Sequence, residues 1–378
     1  MKKNIFELVV NKVNIKRFVS FVMLGSMVFG LSACGSDTAN ANASLANGAD
    51  SNGKLQVVTT IFPEYDWVRE IVGQGENSVD TSAADDVEIT MLLDNGVDLH
   101  SYQPTAADIA RISTCDVFIY VGGESDAWVD DALKEAANKD MVVINLLDVL
   151  GETVKEEEIV EGMEVEEEEE DHEHEASEEE ASMEDADEDG HHHDEGEIEY
   201  DEHVWLSLKD AKILTQDIAD RISSVDAENA EAYKANVTAY NEKLSALDAD
   251  YQSAADKAKV DTILFGDRFP FRYMVDDYGI NYYAAFVGCS AETEASFETI
   301  IFLAGKVDEL GLPAICTIEK SDQKIAETVK NNTKSQDQKI LTLDSLQSVT
   351  STDVAAGETY LKKMTDNLDV LKQALNVE

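Results

Sequence analysis

The sequence lacks the patterns that mark the commonest zinc and nucleophile chemistries. It has four cysteines in 378 residues, none in C-x-x-C spacing, which argues against a thiolate zinc site. It has no His-Glu-x-x-His helix and no Gly-x-Ser-x-Gly elbow, and His172-Glu173-His174 misses the i, i+4 spacing that puts two imidazoles on one helix face. A zinc hydrolase, which needs an open coordination position and a general base beside the metal, is disfavoured on those grounds. Positive charge is scarce: 29 Lys and Arg stand against 79 Asp and Glu, a formal net charge of −50. That sign argues against a nucleic-acid partner, because phosphate binding demands the opposite one.

The acidity is concentrated. Between Gly151 and Glu202 there are 28 acidic residues and the single Lys155, about half of the whole excess. At the other extreme, Lys2, Lys3, Lys12, Lys16 and Arg17 precede an apolar run from Phe18 to Gly30. Roughly thirteen residues suit a secretory h-region and are short for a membrane span. The run ends in Leu31-Ser32-Ala33-Cys34, which resembles the lipobox of bacterial lipoproteins, where the cysteine is acylated and becomes the mature N-terminus. The alternative is an ordinary cleaved signal peptide with a chance cysteine. Residues 1–33 therefore read as a lipoprotein signal peptide, with Cys34 lipidated on the outer side of the cell membrane. Residues 34–54, mostly Ser, Asn, Ala, Gly and Asp, read as a flexible tether.

From Leu55 short β-branched runs alternate with helical patterns. Leu55–Ile61, Val87–Leu93, Val117–Val121 and Met141–Leu146 read as strands, and Tyr65–Val72, Thr105–Ser113 and Trp128–Ala137 as helices. The second half repeats the plan. Its strands are Thr262–Phe265, Asn281–Phe286, Ala314–Ile318 and Ile340–Leu343. Its helices are Phe269–Tyr278, Phe297–Leu310, Lys324–Asn331 and Tyr360–Asn376. Such alternation predicts parallel, wound α/β sheets in two lobes, 55–225 and 259–378. Between them, 226–258 contains neither Gly nor Pro and repeats Tyr233, Val237, Tyr240, Leu244, Leu247, Tyr251 and Ala255. This predicts one stiff helix of about 33 residues and roughly 50 Å joining the lobes, in a monomer. A coiled-coil dimer seam is the rival reading. Of the remaining thiols Cys115, Cys289 and Cys316, at most one disulfide can form, with Cys289–Cys316 the couple favoured if one does, and buried free thiols are an equal reading.

Five of the seven histidines lie in the acidic segment: His172, His174, His191, His192 and His193. Among carboxylates they make a tract suited to zinc, nickel or copper, and 151–202 has too few apolar residues to fold without metal. An acidic linker with incidental histidines is the plain alternative. The other two stand alone. His100 follows the strand Val87–Leu93, in the kind of loop where open α/β sheets place ligands. His203 sits where the acidic tract gives way to ordered sequence.

Asp98-Leu99-His100-Ser101-Tyr102-Gln103-Pro104-Thr105, followed by Asp108-Ile109 and Asp116-Val117-Phe118, resembles the first metal-ligand loop of the zinc and manganese ABC-transporter binding lipoproteins (the cluster A-I family). Asp201-Glu202-His203-Val204-Trp205-Leu206-Ser207 resembles that family's second ligand motif, and an acidic His-rich insertion before it is typical of the zinc members. The resemblance covers nearly the whole mature chain. It implies a metal site between the lobes, zinc as the ion with manganese the alternative, and delivery to an ABC transporter permease. A surface metal buffer or adhesin is the other alternative. The ligands it implies are His100, His203, Glu319 and Asp267. Asp267 stands in because Arg268 occupies the position where the family usually offers His or Glu, and arginine has no lone pair to give.

Overall fold

The computed structural model describes residues 53–164, 199–290 and 294–377. Cys34 and the five tract histidines lie outside the described residues. Two four-stranded sheets, each fully parallel, organise the chain. The first has the order β2-β1-β3-β4, with β1 Leu55–Thr59, β2 Val87–Met91, β3 Val117–Tyr120 and β4 Val142–Asn145. The second has the order β6-β5-β7-β8, with β5 Thr262–Phe269, β6 Asn281–Val287, β7 Ala314–Ile318 and β8 Lys339–Leu343.

The first lobe adds helices α1 Phe62–Val72, α2 Ala106–Thr114, α3 Val129–Lys134, α4 Leu146–Leu150 and α5 Leu208–Val225. Then come α6 Ala230–Asp256 and the second-lobe helices α7 Arg272–Tyr278, α8 Phe297–Leu310, α9 Lys324–Asn332, α10 Ser351–Ala355 and α11 Tyr360–Ala374. Local chemistry sets several boundaries. Thr105 and Asp108 form a reciprocal capping box that starts α2 just after Pro104. Gly73, at φ 93°, closes α1 in the left-handed conformation that a side chain resists.

The long helix differs from its expected bounds. Residues 226–229 break the chain: the Asp226 N–H still bonds to the Ile222 carbonyl and ends α5, while Asn229 opens α6. The helix has 27 residues, about 40 Å. It does tie the lobes together. Asn236 accepts from the N–H groups of Val79 and Asp80 and donates to the carbonyls of Ile71 and Asp80. Nearer its other end, Tyr251 Oη donates to the Met364 carbonyl and Asp248 accepts from Tyr278 Oη. Tyr233, Val237, Tyr240, Leu244 and Tyr251 are buried in one core continuous with both sheets.

The ends of the 151–202 segment are structured, contrary to the reading of that whole stretch as disordered. Glu156 and Tyr200 make an antiparallel bridge, Met163 is buried, and the Glu164 N–H bonds to the Ala285 carbonyl at β6. Val160 and Met163 supply the apolar contact that composition averaged over the segment hides.

Candidate metal centre

The loops at the carboxyl ends of the two sheets converge. After β2, Asp98 caps a single 3₁₀ turn by accepting from the His100 N–H (3.1 Å), which fixes the backbone beneath the imidazole. His203 lies just ahead of the 3₁₀ turn Val204–Leu206, before Ser207 caps α5. That turn is locked from the second lobe: Trp205 Nε1 donates to the Ser345 carbonyl, Tyr360 Oη to the Trp205 carbonyl, and Tyr273 Oη to the Asp201 carbonyl. His203 is therefore seated against the second lobe although it precedes the connecting helix in sequence.

The two Nε2 atoms stand 3.1 Å apart. Two nitrogens each about 2.05 Å from a tetrahedral zinc ion are separated by about 3.3 Å, so the pair needs almost no movement to share one ion. Each ring is also held from its far side. His203 Nδ1 lies 2.9 Å from Asp201 Oδ1, and a carboxylate accepts only, so Nδ1 carries the proton and Nε2 presents a lone pair. His100 Nδ1 lies 2.8 Å from Ser125 Oγ and 3.5 Å from Glu202 Oε2. Carboxylate and hydroxyl partners of this kind orient metal-binding imidazoles and raise their basicity. Without metal, the two Nε2 atoms stand at hydrogen-bonding distance with His100 Nε2–H as the donor; an ion held by both nitrogens would require that proton to move to His100 Nδ1, where Ser125 Oγ can accept it.

Burial, with the neighbouring His203 ring, drives the His100 imidazole down to about 3; Asp98 opposes the shift and Arg268 adds to it. Metal-free His100 is therefore neutral and ready to ligate well below the ordinary imidazole range. Burial raises Asp98, but Arg268 and then His100 outweigh it and hold that carboxyl below its usual value.

Among the described residues, the group of His, Cys, Asp and Glu whose ligand atoms all lie within 4.8 Å of one another consists of His100, His203 and Cys289. Asp267 and Glu319 are outside that group. A register irregularity between Phe265 and Arg268 interrupts the pairing of β5 with β6. There the Asp267 carboxylate accepts from the N–H groups of Arg268 and Ile318, and Arg268 reaches across to pair with Asp98. Glu319 is occupied by the N–H and Oγ of Ser345. Cys289 is the member that the sequence did not announce. It was paired there with Cys316 or left as a buried thiol, but Cys115, Cys289 and Cys316 are all unbridged, and Cys316 is buried within β7. The absence of C-x-x-C excludes thiolate sites built on one local loop; it is silent about a single sulfur carried in from another lobe.

Gly288 permits the approach. A Cβ on it would lie 3.0 Å from His203 Cε1 and 3.0 Å from the Phe269 carbonyl oxygen, so a side chain there would press on the imidazole. Beside the histidines a cavity of about 260 Å³ opens outward, its wall including Glu124, Ser125, Glu157, Glu202 and Cys289.

Known proteins share this plan. The model of the family described as zinc-uptake complex component A, periplasmic (ZnuA), matches residues 57–374. The chain is 30% identical over 333 residues to the zinc-binding protein AdcA of Streptococcus pyogenes serotype M3, covering 86% of this chain and 57% of AdcA; it thus spans little more than half of that relative's length. It is 29% identical over 364 residues to the high-affinity zinc uptake system protein ZnuA of Bacillus subtilis, covering 96% of this chain and 99% of that protein. The crystal structure of the Zn(II)-bound ZnuA-like domain of Streptococcus pneumoniae AdcA superposes with a TM-score of 0.61 at 26% identity, over 86% of this chain and 100% of the domain. With its family model matched from the first strand to the last helix, the chain belongs to the ZnuA family of zinc-uptake binding components.

Proposed function

We propose that this protein captures one zinc ion at the His100–His203 pair and passes it to an ABC importer at the cell membrane. The observation that carries the reading is the 3.1 Å separation of two Nε2 atoms whose rings are each braced from behind. A preset pair of neutral imidazoles favours zinc over manganese, which prefers oxygen donors. The zinc-uptake relatives support the same ion. The family model is that of a zinc-uptake complex component, which supports a binding role rather than hydrolysis.

The chain acts as a monomer outside the cytoplasm, tethered through lipidated Cys34; its likeness to the zinc-binding lipoprotein AdcA of Streptococcus pneumoniae supports the lipid tether. The tract holding His172, His174, His191, His192 and His193 raises the metal concentration near the mouth of the site, and the loaded lobes dock on the permease.

The test is zinc and manganese titration of the soluble protein lacking residues 165–198, beside its His100→Ala and His203→Ala variants. One tight zinc site that survives the deletion and is lost in both variants is the expected result. Loss of nearly all binding on deletion would mean a metal buffer whose working part is the tract. Tight manganese with weak zinc would place the protein among manganese importers.

A further inference from the structure

We propose that Cys289 is the third protein ligand of the metal ion, so that the site is two imidazoles and one thiolate rather than imidazoles with second-lobe carboxylates. The inference rests on the reading of His100 and His203 as ligands and goes beyond it. Its first support is position: Sγ, with the two imidazoles, belongs to the one compact ligand group found among the described residues. In a tetrahedral site with zinc–sulfur near 2.3 Å, sulfur and nitrogen ligand atoms stand about 3.6 Å apart, so a shift of about 1 Å or less seats the ion.

The second support is how the residue is held. Cys115, at the end of α2, and Cys316, in β7, are buried thiols of the ordinary kind, whereas Cys289 is half-buried and lies on the wall of the same cavity as His100. Its N–H donates to Glu157 Oε1 at 3.0 Å, which ties it to the stem of the acidic segment. The residue before it, Gly288, packs against the His203 ring. Thiol and imidazole thus meet although 86 residues separate them in the sequence. The third support is the fate of the carboxylates: Asp267 and Glu319 are both committed to backbone hydrogen bonds.

On loading, the Cys289 S–H bond breaks, an S–Zn bond forms with the same electron pair, and the proton leaves through the cavity to solvent. No oxidant or reductant takes part. The fourth coordination position faces the cavity and takes water. A thiolate is a soft donor, so this set discriminates against manganese more strongly than imidazoles and carboxylates do.

Cobalt(II) titration of the full mature protein tests the assignment, because cobalt bound to thiolate shows a sulfur-to-metal charge-transfer band in the near ultraviolet. The wild type should show the band at one equivalent, Cys289→Ala and Cys289→Ser should lose it, and Cys115→Ala and Cys316→Ala should keep it. Cys289→Asp should cut the zinc-over-manganese affinity ratio by at least about tenfold. A wild-type protein that binds one cobalt ion at the histidines, with visible bands lost in His100→Ala, but shows no charge-transfer band would overturn the thiolate and leave the proposed function standing. A band that persists in Cys289→Ala would overturn it too. Absence of any cobalt site dependent on His100 and His203 would sink both readings together. Should the Cys289 variants fold poorly, alkylation of wild-type Cys289 decides: zinc should block it, and unchanged labelling overturns the assignment.

Discussion

Arg268 and Asp98 form an ion pair that crosses from β5 of the second lobe to the loop carrying His100. Asp98 uses its other oxygen to accept from the His100 N–H, so the guanidinium is two contacts away from the His100 ring. The family resemblance implies a His or Glu ligand at this position, and arginine has no lone pair to give. It acts as a brace: it pairs with Asp98 and ties the loop carrying His100 to the second lobe.

That brace leads to a prediction about proton binding. Nuclear magnetic resonance titration of the metal-free protein should place His100 well below the ordinary 6.5, and Arg268→Met should move it upward, because the guanidinium contributes to the depression. The sign for stability follows. The unfolded chain binds this proton near pH 6.5 and the folded protein only near pH 3, so His100 costs stability as pH falls through that window. An ordinary titration near 6.5 would contradict the burial argument.

Asp201→Asn should weaken zinc binding by about 10–100-fold with little change in fold, since Asp201 Oδ1 orients the His203 ring. Isothermal titration calorimetry beside a thermal melt separates the two effects. Unchanged affinity would mean that packing against Trp205, whose ring centroid lies 5.2 Å from that of His203, suffices to hold the imidazole.

Gly288→Ala should be more damaging than its size suggests. The added methyl meets the His203 ring and the Phe269 carbonyl at 3.0 Å, and such overpacking costs about 1–3 kcal/mol. Zinc affinity should fall together with melting temperature, and neither moving would show that the backbone gives way freely.

A separate pH effect lies under the first sheet. Burial pushes the Asp66 carboxyl up to about 7, and Glu64 beside it is raised as well. A carboxyl whose folded value exceeds its unfolded one near 3.8 contributes stability at low pH that is lost as pH rises through about 7. The Asp66→Asn variant should therefore gain on the wild type between pH 5 and pH 8, by about 2–3 kcal/mol at most. It keeps an acceptor for the Tyr360 N–H but gives up the charge that faces Arg69. Parallel melting curves for the two proteins would contradict a buried, raised carboxyl.

Much of the molecule was legible in the sequence, and the exceptions have local causes. All eight strands fall within a few residues of their expected places, because short β-branched runs separated by helical periods admit few other folds. Helix α5 is absent from the sequence-based expectations although Ser207 caps it and Ala211, Leu214, Ile218 and Ile222 repeat along it. The break at residues 226–229 was hidden because it contains neither Gly nor Pro and depends on Asp226 and Asn229 ending and opening helices. His100 and His203 stood out because each is a lone histidine beside an ordered element. Cys289 could not, since its meaning comes only from β6 ending against His203. Asp267 fails to join the group for an equally non-local reason, the irregular pairing of β5 with β6, which commits its carboxylate to the backbone N–H groups of Arg268 and Ile318.

The central claim is that one ion sits between the two Nε2 atoms. Anomalous diffraction at the zinc edge, from crystals of the protein grown with one equivalent of zinc, addresses it directly. The account predicts a single strong peak about 2.0–2.1 Å from both His100 Nε2 and His203 Nε2. A peak located elsewhere, or bonded to only one of the two imidazoles, would contradict it.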